Sequence, residues 1–197
     1  MAIVLWYRSP NVGGFEPMVT DVKQWVHLAR LESDYSAMQK LKGPLITWQI
    51  VGQCDPPRVN PSKYLVTYQM AAPTLNGTRG EHILEIDCSS ADYPSFAPIV
   101  LFHTPVIKHP HVYSDGSRRV CLGGFPLSES LAALCIRLAR FWQYDASLIN
   151  HKSLASREFY DWYVANRSQL PLDRSPLPSL DEVSGGLRPK QRRSGNG

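Results

Sequence analysis

The chain has no long apolar run, no two cysteines at CxxC spacing, no internal repeat and, beyond Glu182, no acidic residue. The first absence excludes a membrane-spanning helix, which needs roughly 18 or more apolar residues in a row. Met1–Pro10 has no leading charge and only a short apolar stretch, so no secretory signal is expected and the chain reads as cytoplasmic. Cys54, Cys88, Cys121 and Cys135 are too scattered for a zinc ribbon or a redox pair. In a cytoplasmic chain they are expected to stay reduced. The lack of late acids leaves Arg188, Lys190, Arg192 and Arg193 uncompensated, and these account for the net charge of +4. The remainder is near neutral, so composition does not point to nucleic acid as a partner. What is present is a 43% hydrophobic content in 197 residues, enough for one domain with appendages.

Periodicity divides the chain. Residues 1–18 read as an N-terminal extension, with a short strand around Ile3, Leu5 and Tyr7 and a loop from Pro10 to Pro17. Thr20 or Asp21 can cap a helix. Its stripe runs through Trp25, Leu28, Leu31 or Glu32, Tyr35, Met38 and Leu41, and Gly43-Pro44 stops it. Three strands follow, at Ile46–Ile50, Tyr64–Met70 and His82–Cys88, and Leu84, Ile86 and Cys88 share one face of the last. Cys54–Pro61 reads as a proline-rich connection and Pro73–Gly80 as a loop. Ile99–Phe102 is a fourth strand. Loops too short for crossover helices predict an antiparallel meander.

After Cys121 the period lengthens. Ser128 can cap a helix that carries Leu131, Leu134, Cys135, Leu138, Phe141 and Trp142 on one side, which makes Cys135 a core residue. Ser153 or Ser156 starts a last helix with Phe159, Trp162, Tyr163 and Asn166. The domain is thus expected over 19–170. Residues 171–197 read as a mobile Pro/Gly/basic tail, and Gly185-Gly186 inside it reads as linker.

The stretch HPHVYSDGSRRVCLGGF, His109–Phe125, carries the chemistry-bearing residue types. Asp115-Gly116 marks a tight turn, because glycine accepts positive φ and aspartate bonds nearby backbone. If the chain folds back there, Lys108, His109 and His111 come near Cys121. A partly exposed thiol among cations is a nucleophile candidate, and Gly123-Gly124 lets an extended ligand backbone lie close. Taken alone, Cys121 between Val120 and Leu122 also suits a small buried apolar residue.

His109-Pro110-His111, the turn and Val120-Cys121-Leu122 resemble the HPN…CL signature of ubiquitin-conjugating enzymes. Tyr93–Pro98, YPSFAP, resembles that family's YPxxPP segment. The third motif position is His111 where the family usually has asparagine, and the gap to the cysteine is slightly longer. The wording after the cysteine, GGFPLSESLAALCIRLARF, is similar to the conjugating component of bacterial ubiquitin-like modification operons, which are associated with anti-phage defence. The resemblance implies an α+β ubiquitin-conjugating-enzyme fold, with an N-terminal helix, a four-stranded antiparallel meander and C-terminal helices. It also implies a thioester on Cys121 and no cofactor. The implied partners are a ubiquitin-like modifier, an activating enzyme that Lys23 and Arg30 on the first helix would contact, and a target amine.

On the same resemblance, His111 either donates an N–H to the oxyanion or braces the loop, His109 orders the loop, and one of Asp145, Asn150 and His151 assists the amine. Two other classes fit parts of the sequence. One is a non-catalytic adaptor of the same fold that binds ubiquitin-like partners. The other is a metal site built from His103, His109, His111 and Cys121, although their spacing matches no compact zinc pattern. A Cys–His hydrolase lacks an orienting third group in the sequence.

Overall fold

A computed structural model describes residues 2–8, 15–52 and 60–180, with side chains from Val22 onward. Cys54, the Gly185-Gly186 pair, the basic residues 188–193 and most of the loop expected at 10–17 lie outside the described residues. Strands β1 (Ala2–Arg8) and β2 (Phe15–Asp21) pair antiparallel, so a second strand begins where the sequence suggested loop, and it leads directly into α1 (Val22–Met38). The central sheet is β3 (Ile46–Ile50), β4 (Lys63–Tyr68), β7 (His82–Asp87) and β8 (Ile99–Phe102), antiparallel and in that spatial order. It is the expected meander. Between β4 and β7, the segment predicted as loop forms a short hairpin, β5 (Ala72–Thr74) with β6 (Gly77–Arg79). Gly77 lies at φ 101°, a conformation that L residues with a Cβ rarely adopt and that lets Thr74 face Gly77 across the turn.

Alternation places one face of this sheet in the core. Tyr64, Val66 and Tyr68 of β4, Leu84 and Ile86 of β7, and Val100 and Phe102 of β8 are all buried. The register sets Val66 beside Leu84 and Leu84 beside Phe102, so apolar side chains form continuous rows across the strands. Helix α2 (Leu131–Trp142) covers the rows. Its stripe is buried as expected, and Ala132, Ile136 and Ala139 are buried too, so the helix is enclosed on most sides. Trp142 packs on Phe102 at 5.3 Å and on Tyr68 at 6.3 Å between ring centres, and the Tyr68 hydroxyl donates to the Cys135 carbonyl at 3.1 Å. Burial pushes the Cys135 thiol up to about 12, which fits a core residue.

Helix α1 departs from its predicted stripe. Leu31, Met38 and Leu41 are buried, but Trp25 and Leu28 are 57% and 40% exposed. At this level the inner face carries a polar pair. Asp34 is 1% exposed and accepts from Arg30 Nε at 2.7 Å, from the Tyr93 hydroxyl at 2.5 Å and from the Leu131 N–H at 2.8 Å. Arg30 also donates to the carbonyls of Leu127 and Glu129. Asp34 therefore serves the N-terminus of α2, where an anion meets unpaired backbone N–H groups and the positive end of the helix dipole. The capping side chain of α2 is Ser130, which accepts from Ala133 N at 3.2 Å, two residues later than the predicted Ser128. Ser156, one of the two expected caps, accepts from Phe159 N and starts α3 (Arg157–Asn166).

Part of the segment read as tail lies against the domain. Asp173 accepts from the Ala71 N–H at 3.1 Å, Ser175 O accepts from Gln143, and Leu177 packs on the core. Among the described residues, no helix is long and apolar enough to cross a membrane.

Removing one partner of a buried, hydrogen-bonded charge pair strands the others. Asp34→Ala is therefore expected to cost about 3–5 kcal/mol. Urea denaturation is the check. A midpoint within about 0.3 M of the wild type, at the usual slopes of about 1–3 kcal/mol/M, would mean that the Asp34 contacts carry no weight in solution.

Candidate active site

The Asp115-Gly116 signal does make a turn. Asp115 Oδ1 accepts from the Ser117 N–H at 2.9 Å, and Gly116 lies at φ 83°. Arg118 also adopts positive φ, 61°, and its guanidinium donates to the carbonyls of His103 and Thr104 at 2.8 and 3.1 Å. The chain then doubles back. Val112 bridges Val120, the Tyr113 N–H donates to Arg119 O at 3.0 Å, and the Cys121 N–H donates to His111 O at 2.7 Å. The returning limb also meets the sheet. Leu101 bridges Arg119, the Val120 N–H donates to Val100 O at 3.0 Å, and the Phe102 N–H donates to Arg118 O at 2.9 Å. Cys121 thus ends a strand-like limb held by β8 on one side and by the histidine segment on the other.

The described cysteines differ in access. Cys88 and Cys135 are 0% exposed, whereas Cys121 is half-buried with a free thiol. Beyond it, the Leu122 carbonyl accepts from Arg137 Nη1 at 2.7 Å, and Glu129 holds the same guanidinium through two contacts of 2.8 Å. Gly123 turns the chain at φ 65°. Gly124 is exposed and has nothing within 4 Å of where a Cβ would stand.

His109 is fully buried. Its ring stacks on Phe141 at 5.1 Å and 16° and meets Trp142 edge-on at 6.1 Å. Nδ1 accepts the His111 N–H at 3.2 Å. Burial, and then the neighbouring His111, hold its pKa well below the usual histidine value. The ring is a neutral wedge that orders the loop backbone. Pro110 O accepts from the N–H groups of Ala155 and Ser156, which ties the loop to the start of α3. Lys108 is held by its own backbone, its carbonyl accepting from the Tyr144 hydroxyl at 2.8 Å, while its ammonium lies 5.2 Å from the Trp162 ring centre.

His111 is 4% exposed and stacks on Phe141 at 5.5 Å. Nε2 accepts the Asn150 N–H at 3.1 Å, which puts the proton of the neutral ring on Nδ1, a buried atom without a partner. Burial, with Arg137 adding to it, lowers its pKa. The ring therefore joins the Cys121 hairpin to the loop that carries the three residues expected near the amine. Of these, Asp145 caps the short turn Ala146–Leu148 and binds Arg140 at 2.6 Å. Its Ser147 hydrogen bond, and then Arg140, outweigh burial and keep it below the usual carboxylate value. Asn150 accepts from Lys152 N at 3.0 Å, and exposed His151 lies edge-on to Tyr160.

Other sequence candidates sit elsewhere. Arg30 is absorbed by Asp34, with its side chain 12% exposed, so it is not the solvent-facing docking cation expected of it. Lys23 lines a cleft of about 270 Å³ between α1 and residues 91–96. His103 pairs with Glu85 at 3.1 Å, and among the described residues no three His, Cys, Asp or Glu side chains are placed to hold a metal ion. Sequence reasoning passed over Asn150 as a backbone donor and Arg137.

No protein-family model matches the chain, and no curated protein is significantly similar to it. Solved structures do resemble it. One titled a novel ubiquitin-conjugating enzyme has a TM-score of 0.50 at 16% identity, over 76% of this chain and 94% of that one. Ubiquitin conjugating enzyme E2 UbcA1 from Agrocybe aegerita gives 0.45 at 23% identity over 75% and 97%. Human ubiquitin-conjugating enzyme E2 G1 gives 0.39 at 17% over 63% and 95%. The first likeness, with the element order above, assigns the α+β ubiquitin-conjugating fold expected from the motifs.

Three buried histidines, His82, His109 and His111, have pKa values lowered first by burial. Each binds protons more readily unfolded, near 6.5, than folded, so stability is complete above that value and falls as pH drops below it. The carboxylates with lowered values act in the same direction, but only below about pH 4. Urea midpoints are expected to fall between about pH 7.5 and pH 5, at up to about 1.4 kcal/mol per pH unit per histidine. A flat profile in that window would mean that the rings are solvated.

Proposed function

We propose that this chain is a ubiquitin-like protein conjugating enzyme in which Cys121 carries the modifier as a thioester. The Cys121 thiolate attacks the carbonyl carbon of the modifier's C-terminal residue. A new C–S bond forms while the bond to the activating enzyme's sulfur breaks, and that sulfur leaves as thiolate. Bond types before and after are alike, so this step is nearly balanced. A target amine then attacks, a C–N bond forms, the Cys121 sulfur leaves, and the amine proton passes to solvent or a base. Both steps pass through a tetrahedral oxyanion that needs hydrogen-bond donors.

The observation that carries the reading is the contrast in access on this fold. Cys121 is half-buried at the end of a limb anchored on both sides, while Cys88 and Cys135 are sealed in the core. Open space beside Gly124 supports an extended modifier tail lying next to the sulfur. His111 acts here as a positioning residue, because Nε2 is spent on Asn150 and the ring is buried. The partners are a ubiquitin-like modifier, its activating enzyme and a target protein in the cytoplasm. The similarity of the stretch after Cys121 to bacterial conjugating components supports anti-phage defence as the setting.

Intact mass after incubation with activating enzyme, ATP and modifier tests the reading. A reductant-sensitive gain of one modifier is expected. It should become a reductant-resistant oxyester in Cys121→Ser and vanish in Cys121→Ala. No gain with a competent activating enzyme would leave the adaptor reading in its place. A reducible adduct on Cys121→Ala would move the nucleophile elsewhere.

Releasing a positioned loop costs alignment. His111→Ala is therefore expected to slow transfer to amine by roughly ten- to a hundredfold while loading changes by less than about threefold. Single-turnover loading and discharge rates separate the two, and equal losses would remove the positioning role.

A further inference from the structure

The N-terminal ribbon presents an unpaired edge. Among the described residues, β1 pairs with β2 alone, and the two form a sheet of their own. A lone two-stranded hairpin is marginal in water, whereas three or more strands with an apolar face hold by themselves. Open edges are usually blunted by lysine, proline, a bulge or a very short strand. β1 has none of these. It is seven residues long, runs in unbroken register, is apolar or aromatic from Ala2 to Tyr7, and carries its one charge at Arg8. β2 contains Pro17, and a proline inside a strand is tolerated at the margin of a sheet, so β2 is suited to stay outermost. The edge open to a further strand is therefore β1. Apolar character continues past the ribbon, because α1 follows β2 without a linker and its first two turns expose Trp25 and Leu28.

We propose that β1 pairs with β1 of a second copy of this chain, antiparallel and centred on Leu5, to give a four-stranded sheet across a two-fold axis. The residues of β1 select both the occupant and the register. Centred on Leu5, Ile3 stands opposite Tyr7 of the second copy, and Val4 stands opposite its Trp6. These are pairs of β-branched with aromatic residues, which favour strand pairing. Leu5 meets Leu5, and the row extends to Met18 of β2 on either side. Charge fits the same register. Arg8 of one copy stands opposite Ala2 of the other, and the β2 partner of Ala2 is Asp21. Opposite charges then share one row, about 10 Å apart across the strand that bears the alanine. Parallel pairing in register would set Arg8 beside Arg8 and lose these matches. A two-fold contact is self-complementary and closed, so two copies satisfy it and both β2 strands end up outermost. None of the residues that seat Cys121 belongs to the ribbon, so the inference stands apart from the thioester reading.

Sedimentation equilibrium of the full chain at micromolar concentration tests the pairing. Twice the chain mass of 22.2 kDa is expected. Leu5→Lys sets like charges face to face at the centre of the contact and is expected to weaken the dimer about tenfold or more, with an unchanged far-ultraviolet circular dichroism spectrum. A second pair of variants keeps the edge uncharged and reads the register. Leu5→Cys, oxidised with copper phenanthroline, is expected to give a reducible cross-linked dimer, because directly opposed strand residues lie about 5 Å apart between Cβ atoms. In Ile3→Cys the two thiols are offset by about 14 Å along the strands, so cross-linking is expected to stay at the level of the equally treated wild-type chain. A monomer in sedimentation would overturn the proposal and leave the edge to a strand from a different protein. A dimer that Leu5→Lys leaves intact, or equal cross-linking of the Leu5→Cys and Ile3→Cys chains, would overturn it as well. Larger, open-ended species would overturn the closed two-fold contact.

Discussion

The structure depends on a carboxylate kept inside. Asp34 receives a guanidinium, a phenol and a helix-terminal N–H, and these come from three separate stretches of chain. A buried charge without such partners would be costly, and with them it becomes a joint that a purely apolar contact could not specify. Through Arg30 the joint extends to the carbonyls of Leu127 and Glu129. Glu129 in turn grips Arg137, which holds the carbonyl of the residue after Cys121. An unbroken polar path thus runs from the inner face of α1 to the backbone beside the sulfur, and the entry of α2 is fixed along the way.

A second support comes from the aromatic floor under the histidine segment. Phe141 lies against both His109 and His111, and Trp142 closes the side of His109. Both rings come from the last turn of α2, so the helix that completes the core also sets the height of the loop. The imidazoles are used there as shaped, weakly polar wedges. Their burial opposes protonation, and their acceptor nitrogens take backbone N–H groups that would otherwise stay unpaired.

Much of the fold is legible in the sequence because burial imposes a period. The rows through Val66, Leu84 and Phe102, and the α2 stripe, follow directly from alternation and from three- and four-residue steps. The departures have physical causes. Apolar side chains at Trp25 and Leu28 suggested a buried stripe, but the inner face there is polar, and a periodicity argument assigns no inward position to Asp34 and Arg30. The β5–β6 hairpin is too short to generate a pattern. Leu177 packs on the core from a proline-rich segment whose composition suggested solvent. At the site, the turn at Asp115-Gly116 and the approach of His111 to Cys121 could be read from the motif. The acceptance of the Asn150 N–H could not, because residues 39 positions apart meet only through tertiary packing.

His111 carries two links of different kinds. The bond to the Cys121 N–H uses its carbonyl, which every amino acid possesses, while the bond to Asn150 uses the ring. Replacement of the side chain therefore leaves the backbone seat of the sulfur in place and alters only how the 146–152 loop is held. The architecture is modular at this residue. The 146–152 loop can be reset through this one side chain while the backbone that seats Cys121 stays as it is.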